Sequence, residues 1–254
     1  MTEATATLVT YDVQQAVATI TLDSPHNRNA LSSALVTQLF DALERAATDE
    51  EARIVLIRSA DRVFCSGADL NEAGAGGMHQ GARALVALQR VIVAHPKPVI
   101  TRLAGPVRAG GLGIVAASDV VLCSHDVTFA FTESRLGLAP AVISLTVVPR
   151  LTSRAAADTF LTGRTFDAAE AAAMGLVTRA VAAQELDDAV EEACEELRQA
   201  HPQGLRETKA LLAGELLRRI DGQAEEMATL SARLFGSDGA REAMTAFLER
   251  RSRT

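Results

Sequence analysis

The chain of 254 residues is 48% hydrophobic and 22% charged, with no Trp and 7 Pro; this excludes disorder and collagen-like repetition and leaves a globular chain able to bury a core without disulfides or a metal. A formal charge of -7 argues against a surface built to neutralise phosphates, so no nucleic-acid partner is expected. Cys65, Cys123 and Cys194 form no C-x-x-C pair, and neither an export leader nor roughly 18 uninterrupted apolar residues is present, which predicts a cytoplasmic protein with no membrane partner.

In chain order, the alternation of Val17-Ala18-Thr19-Ile20-Thr21-Leu22 predicts a half-buried strand, stopped by the turn from Asp23 to Asn27. Leu31, Leu35, Leu39, Leu43 and Ala46, with Val36 and Phe40 beside them, predict a helix through Ala47. Ile54 to Ile57 is a continuous apolar run, the mark of a strand covered on both faces. The rhythm returns as a strand at 98–103, a helix from Gly110 to Ala117 and a strand at 119–123. Asp167 and Glu170 have capping-box spacing, with Gly175 where that helix should end and a strand at 177–181 to follow. After about residue 184 only helices are predicted, one at 186–197 and three near 204–219, 222–235 and 239–251, broken at Asp221-Gly222 and from Gly236 to Gly239. The pattern is an α/β core over 1–183 followed by a helical region over 184–254.

Gly111-Leu112-Gly113-Ile114-Val115-Ala116 matches G-x-G-x-x-A formally, but Gly105 to Ala109 separate it from the preceding strand, which disfavours a dinucleotide site. The free N–H groups of Gly110 and Gly111 at a helix start fit an anion site better. Phe64-Cys65-Ser66-Gly67-Ala68-Asp69-Leu70 is a small-residue turn able to expose another N–H; no companion histidine or G-x-S-x-G supports a nucleophilic role for Cys65 or Ser66. Glu133 stands between Phe129-Ala130-Phe131-Thr132 and Leu136-Gly137-Leu138. That apolar setting would raise its pKa towards neutrality, and a solvent-facing helix start is the alternative reading. The histidines at 26, 79, 95, 125 and 201 lack metal-ligand spacing, so no metal is expected, and Glu191, Glu192, Glu195 and Glu196 read as a solvated helix face.

In order along the chain, Ser24-Pro25, Asn29-Ala30-Leu31, Phe64 to Leu70, Ala109 to Gly113, Asp119, Phe131 to Gly137, Leu161-Thr162-Gly163 and Ala240 to Arg251 together resemble the crotonase, or enoyl-CoA hydratase/isomerase, family. The resemblance implies a spiral of β-β-α turns with a C-terminal helical trimerisation region, a homotrimer or hexamer, and acyl-CoA thioester substrates processed through an enolate. Coenzyme A would enter as part of the substrate, with no separate cofactor. By position Ala68 and Gly110 look like the two N–H donors of the oxyanion hole, and Glu133 like the proton-transferring glutamate.

The resemblance also implies CoA contacts from Arg28, Ala30, Ser66, Ala68, Asp69, Leu70, Gly110 and Gly111, with Lys209 and Phe247 as further ligands. Typical hydratases of the family carry a second glutamate where this chain has Gly113, which leaves that carboxylate's position empty. Two carboxylates can hold and split a water, whereas one can shuttle a proton between carbons. The stretch from Glu133 to Ser144 is nonetheless similar to branched enoyl-CoA hydratases of the methylglutaconyl type. Hydration of a 2-enoyl-CoA, with Ser144 or a backbone carbonyl orienting the water, is the favoured expectation; isomerisation of a 3-enoyl-CoA and a non-catalytic acyl-CoA-binding paralogue are the alternatives. The segment from Glu72 to Gln80 and that from Ala141 to Leu145 are expected to set acyl specificity.

Overall fold

The computed structural model describes residues 6–69, 72 and 77–252. Its frame is a six-stranded sheet in the order β1 (Val9–Gln14), β2 (Val17–Leu22), β3 (Ile54–Ser59), β4 (Val99–Leu103), β6 (Val120–Ser124) and β9 (Arg179–Val181). β1 pairs antiparallel with β2 through the turn at Gln15 and Ala16, whose φ angles of 48° and 63° suit a tight hairpin. The remaining neighbours run parallel. Ile54, Val55, Leu56 and Ile57 are buried in β3 between β2 and β4, as a continuous apolar run requires.

Helix α1 (Ser33–Thr48) starts at Ser32, whose hydroxyl accepts from the Leu35 N–H at 3.3 Å, and buries Leu35, Val36, Leu39, Ala42, Leu43 and Ala46, the predicted stripe. After β4 the chain makes β5 (Val107–Arg108) and after β6 it makes β7 (Thr128–Ala130); with β8 (Thr165–Asp167) these form a second sheet in the order β5-β7-β8. Successive turns therefore give one strand to the large sheet and the next to the small one. Helices α2 (Gly77–Ala94) and α3 (Gly111–Ala117) return the chain between turns. β1, α2, the three strands of the small sheet, α4 (Ala141–Val147) and α5 (Ser153–Thr162) are additional to the elements predicted from the sequence. All seven residues of α3 are buried, which its run of small and aliphatic side chains permits.

Past β8, α6 (Ala168–Met174) carries the predicted capping box between Asp167 and Glu170 and ends at Gly175, φ 89°. Helix α7 (Leu186–Gln199) lays Leu186, Ala189, Val190 and Cys194 against Val17, Ile54, Leu56, Ile100 and Leu122 on the large sheet. The two helices expected at 204–219 and 222–235 are one, α8 (Pro202–Phe235). Asp221 does not cap a break there, because its carboxylate is held by Arg90 of α2 at 2.6 and 3.2 Å. Gly222 costs the helix about 1 kcal/mol, less than burial of Ile220 and Ala228 in the core returns. Helix α8 crosses α2 and α4 (Ala141–Val147), and α9 (Asp238–Ser252) follows. Leu161, Leu211 and Leu212 remain large exposed apolar side chains, at 78%, 83% and 79%.

Candidate active site

The segment after β3 is threaded between two others. Phe64 N–H donates to Pro106 O at 3.1 Å and Arg108 N–H to Cys65 O at 3.0 Å on one side; Ser66 N–H donates to Arg28 O at 3.1 Å and Leu31 N–H to Gly67 O at 2.8 Å on the other. Asn29, buried and at φ 53°, locks the outer loop by accepting from Ser24 N–H at 2.7 Å and donating to Val63 O at 2.9 Å. Gly67 turns the chain at φ +100°, where a Cβ would stand 3.0 Å from Ala109 Cβ and 3.9 Å from Gly110 N. These ties bring Ala68 beside Gly110, the N-terminal cap of α3; a Cβ on Gly110 would lie 3.9 Å from Ala68 N. Neither the Ala68 nor the Gly110 N–H donates to an acceptor among the described residues. Two neighbouring, unspent donors, one at a helix start, are suited to a developing oxyanion.

Glu133 approaches from the small sheet. β5 and β7 run parallel, and Ala109 N–H donates to Ala130 O at 3.2 Å, so the chain leaves both strands at the same edge, towards Gly110 in one case and Glu133 in the other. Glu133 opens a short 3-10 turn, Glu133–Leu136, which Arg135 secures by donating to Thr162 O at 2.8 Å. Its Oε2 is out of solvent contact and has no hydrogen-bond partner. Burial pushes its pKa up to about 7, against a smaller opposing pull from its own backbone N–H. Its Oε2 therefore faces protein and not water, against the alternative of a solvent-facing helix start. This group can take and return a proton near neutrality.

A model of the enoyl-CoA hydratase/isomerase family matches residues 12–254. The chain belongs to the enoyl-CoA hydratase/isomerase family. It is 45% identical to a solved enoyl-CoA hydratase from Mycobacterium avium, covering 96% of this chain and 97% of that one, with a TM-score of 0.90. A second, from Mycobacterium avium subsp. paratuberculosis K-10, is 29% identical over 96% of each chain, with a TM-score of 0.85. The Rhodobacter capsulatus protein named "Probable enoyl-CoA hydratase" is 30% identical over 247 residues, 96% of this chain and 95% of its own. The fold is accordingly the crotonase fold.

No carboxylate stands at Gly113, and the space beside its Cα is taken up by other side chains. A Cβ on Gly113 would stand 2.9 Å from Gln89 Cδ, 3.0 Å from Gln89 Oε1 and 3.0 Å from Ile143 Cγ2. Gln89, on α2, was not singled out in the sequence; a lone amide among the buried residues Ala82, Val86, Leu88, Ile92 and Val93 of one helix is the signal that marks it. Gly111 likewise receives Cys65, whose Cβ lies 2.6 Å from where a Gly111 Cβ would be. Cys65 is buried, its thiol pushed up to about 12 by desolvation, and takes no part as a nucleophile. Ser144, a candidate for orienting water, donates its hydroxyl to Ala141 O at 2.6 Å.

Among the CoA candidates, Arg28, Ala30, Ser66, Ala68 and Asp69 are brought together: Ser66 N–H meets Arg28 O at 3.1 Å, and Asn27 Nδ2 donates to Asp69 Oδ2 at 3.1 Å. Leu70 and the side chain of Phe247 lie outside the described residues. Glu72 anchors its segment by accepting from Ser33 N–H at 2.8 Å. Lys209 is corrected. Its ammonium is 6% exposed and donates to Asp119 Oδ2 at 2.6 Å, Ile92 O at 3.1 Å and Lys97 O at 3.1 Å, which spends all three protons inside the protein. No group of three or more His, Cys, Asp or Glu able to hold a metal occurs among the described residues, nor does a helix long and apolar enough to cross a membrane.

Proposed function

We propose that the protein hydrates a 2-enoyl-CoA, with Glu133 as its single acid/base. The observation that carries this reading is a carboxylate whose Oε2 is out of solvent contact and without a partner, with its pKa raised to about 7, at the edge where two N–H donors stand unspent. The thioester oxygen accepts from Ala68 and Gly110; Glu133 takes a proton from water as its oxygen adds to C3, the electron pair moves onto the thioester oxygen, and the same carboxylate returns the proton to C2. Arg28 supplies a cation for the CoA phosphates and the Ala30, Ser66 and Asp69 loop the pantetheine contacts. The exposed Leu211 and Leu212 of α8 support assembly as a homotrimer or hexamer through the C-terminal helices, and the buried free thiols support a cytoplasmic location.

Isomerisation of a 3-enoyl-CoA is the second reading, favoured by the packing of Gln89 and Ile143 against Gly113. In it Glu133 removes a C2 proton and delivers it to C4 through the dienolate. Incubation with 2-enoyl-CoA and 3-enoyl-CoA thioesters separates the two: a mass gain of one water from the 2-enoyl substrate supports hydration, and an isobaric shift of the double bond without water gain supports isomerisation. A protein that retains CoA but exchanges no thioester α-proton in deuterated buffer would be a binder, and both readings would fall.

A further inference from the structure

The geometry points to Gln89 as a positioning residue that holds the oxyanion helix and the Glu133 side of the pocket at a fixed spacing, an inference that rests on the acyl-CoA reading above. Gln89 is 1% exposed, and a buried amide must be paired. Its Nε2 donates to Leu85 O of its own helix at 3.1 Å and, at 3.5 Å, towards Val142 O of α4, while its Oε1 accepts from Thr146 Oγ1 of α4 at 2.6 Å. The same side chain lies in the notch that Gly113 leaves in α3. One turn earlier on α2, Leu85 Cδ2 would stand 3.2 Å from a Cβ on Gly110, the donor residue itself. Helix α2 thus touches α3 at Gly110 and Gly113 and is bonded to α4, the helix that follows the Glu133 turn.

The bonds to α4 do something that apolar packing alone does not. Leu85 and Ile143 slide at little cost, because dispersion contacts have no direction, whereas the Thr146–Gln89 bond fixes both distance and register. Gly113 lets that amide approach the backbone of α3 with no intervening side chain. Gln89 has its hydrogen bonds directed to protein groups, so it acts through the placement of the Gly110 N–H and of Glu133 rather than by touching the thioester.

Exchange of the α-protons of a saturated acyl-CoA in deuterated buffer reads out the placement of donors and carboxylate without requiring that water add. Gln89→Met keeps the volume and removes the bonds; Thr146→Val removes only the bond at 2.6 Å and serves where the first variant fails to fold. Both are expected to lower the exchange rate at saturating thioester, by roughly tenfold to a hundredfold for Gln89→Met and several-fold for Thr146→Val, with the half-saturating concentration within about twofold of the wild type. The double variant should exchange no more slowly than Gln89→Met alone, since both remove the same tie. A folded variant with undiminished exchange, or losses that simply multiply in the double variant, overturns the inference while wild-type exchange keeps the acyl-CoA reading. Wild type without exchange removes that reading and the role of Gln89 with it.

Discussion

The two ends of helix α3 treat buried polar groups in opposite ways. At the C-terminal end Ser118 Oγ pairs with Thr101 Oγ1 at 2.7 Å and donates to Ile114 O at 2.9 Å, Arg150 donates to Ala116 O at 3.1 Å and Ser118 O at 3.3 Å, and Asp119 Oδ2 accepts from Val99 N–H at 2.7 Å and Lys209 Nζ at 2.6 Å. At the N-terminal end the Gly110 and Ala68 N–H groups are unspent among the described residues and Glu133 Oε2 has no partner. One end is completed by the protein itself, and the other keeps donors and an acceptor unspent among the described residues. A carboxylate is thus matched at Asp119, part-exposed but held by a backbone N–H and the buried Lys209 ammonium, and left open to proton exchange at Glu133, where desolvation raises its pKa instead.

The most disruptive way to break this contrast is Glu133→Gln. Proton transfer should fall by about 10²- to 10⁴-fold while the fold persists, and the wild-type kcat/KM should rise through pH 7 as the base ionises. Stability should move the other way. Because the folded pKa of about 7 exceeds the ordinary glutamate value of 4.5, the contribution of Glu133 is fully present below pH 4.5 and is lost as pH rises through 7. Urea titrations should therefore find Glu133→Gln equal to wild type at pH 4 and more stable at pH 8, by at most about 3 kcal/mol. Equal stability at both pH values would mean that the carboxylate is not desolvated.

Lys209→Met tests the opposite end. Asp119, 30% exposed, is left to water, but Ile92 O and Lys97 O lose their donor, a loss of about 1–3 kcal/mol. The urea midpoint should drop while KM for the thioester stays within about twofold under folding conditions. A raised KM at unchanged stability would restore Lys209 as a CoA ligand.

Gly110→Pro removes one donor at a φ of -51°, close to the proline value. Its ring must displace Leu31 and Leu85, which would stand 3.0 and 3.2 Å from its Cβ, and it follows Ala109 at φ 45°, so folding is checked first. Turnover should fall by roughly 10²- to 10³-fold, with CoA affinity reduced far less. Full activity in a folded variant would dismiss Gly110 from the oxyanion hole.

What could be read in the sequence follows the same division. The α1 helix and the Asp167 and Glu170 capping box were legible because each depends on neighbours within a turn or two of chain, whereas for Glu133 the neighbours left a solvent-facing helix start open and only the family resemblance chose between the two. The role of Lys209 was not legible, since its partner Asp119 lies 90 positions away. A compositional signal did exist: of the 25 Lys and Arg, two are Lys, at 97 and 209. Lys97 Nζ donates to Ala46 O at 2.5 Å and Asp49 O at 2.7 Å, so both ammonium groups serve clusters of carbonyls that a planar guanidinium fits poorly. Gln89 was missed for a related reason. Its meaning arises where α2, α3 and α4 meet, and the glycine that admits it reads in the sequence only as an absent glutamate.

The smallest expected effect is at that glycine. Gly113→Ala gains about 1 kcal/mol of helix propensity but brings a Cβ to 2.9 Å from Gln89 Cδ and 3.0 Å from Ile143 Cγ2. Gln89 cannot swing aside freely, because Thr146 holds its Oε1 at 2.6 Å. Overpacking of this kind costs about 1–3 kcal/mol, so a net loss of about 1 kcal/mol is expected, readable as a lower urea midpoint and relieved when Gln89→Ala is added. Gly113→Glu needs the volume of the whole amide and should be worse folded, with no gain in hydration until Gln89 is cut back. If Gly113→Glu alone folds normally and hydrates a linear 2-enoyl thioester faster, then the notch is softer than its contacts indicate, and a second carboxylate is all that the N-terminal end of α3 lacks.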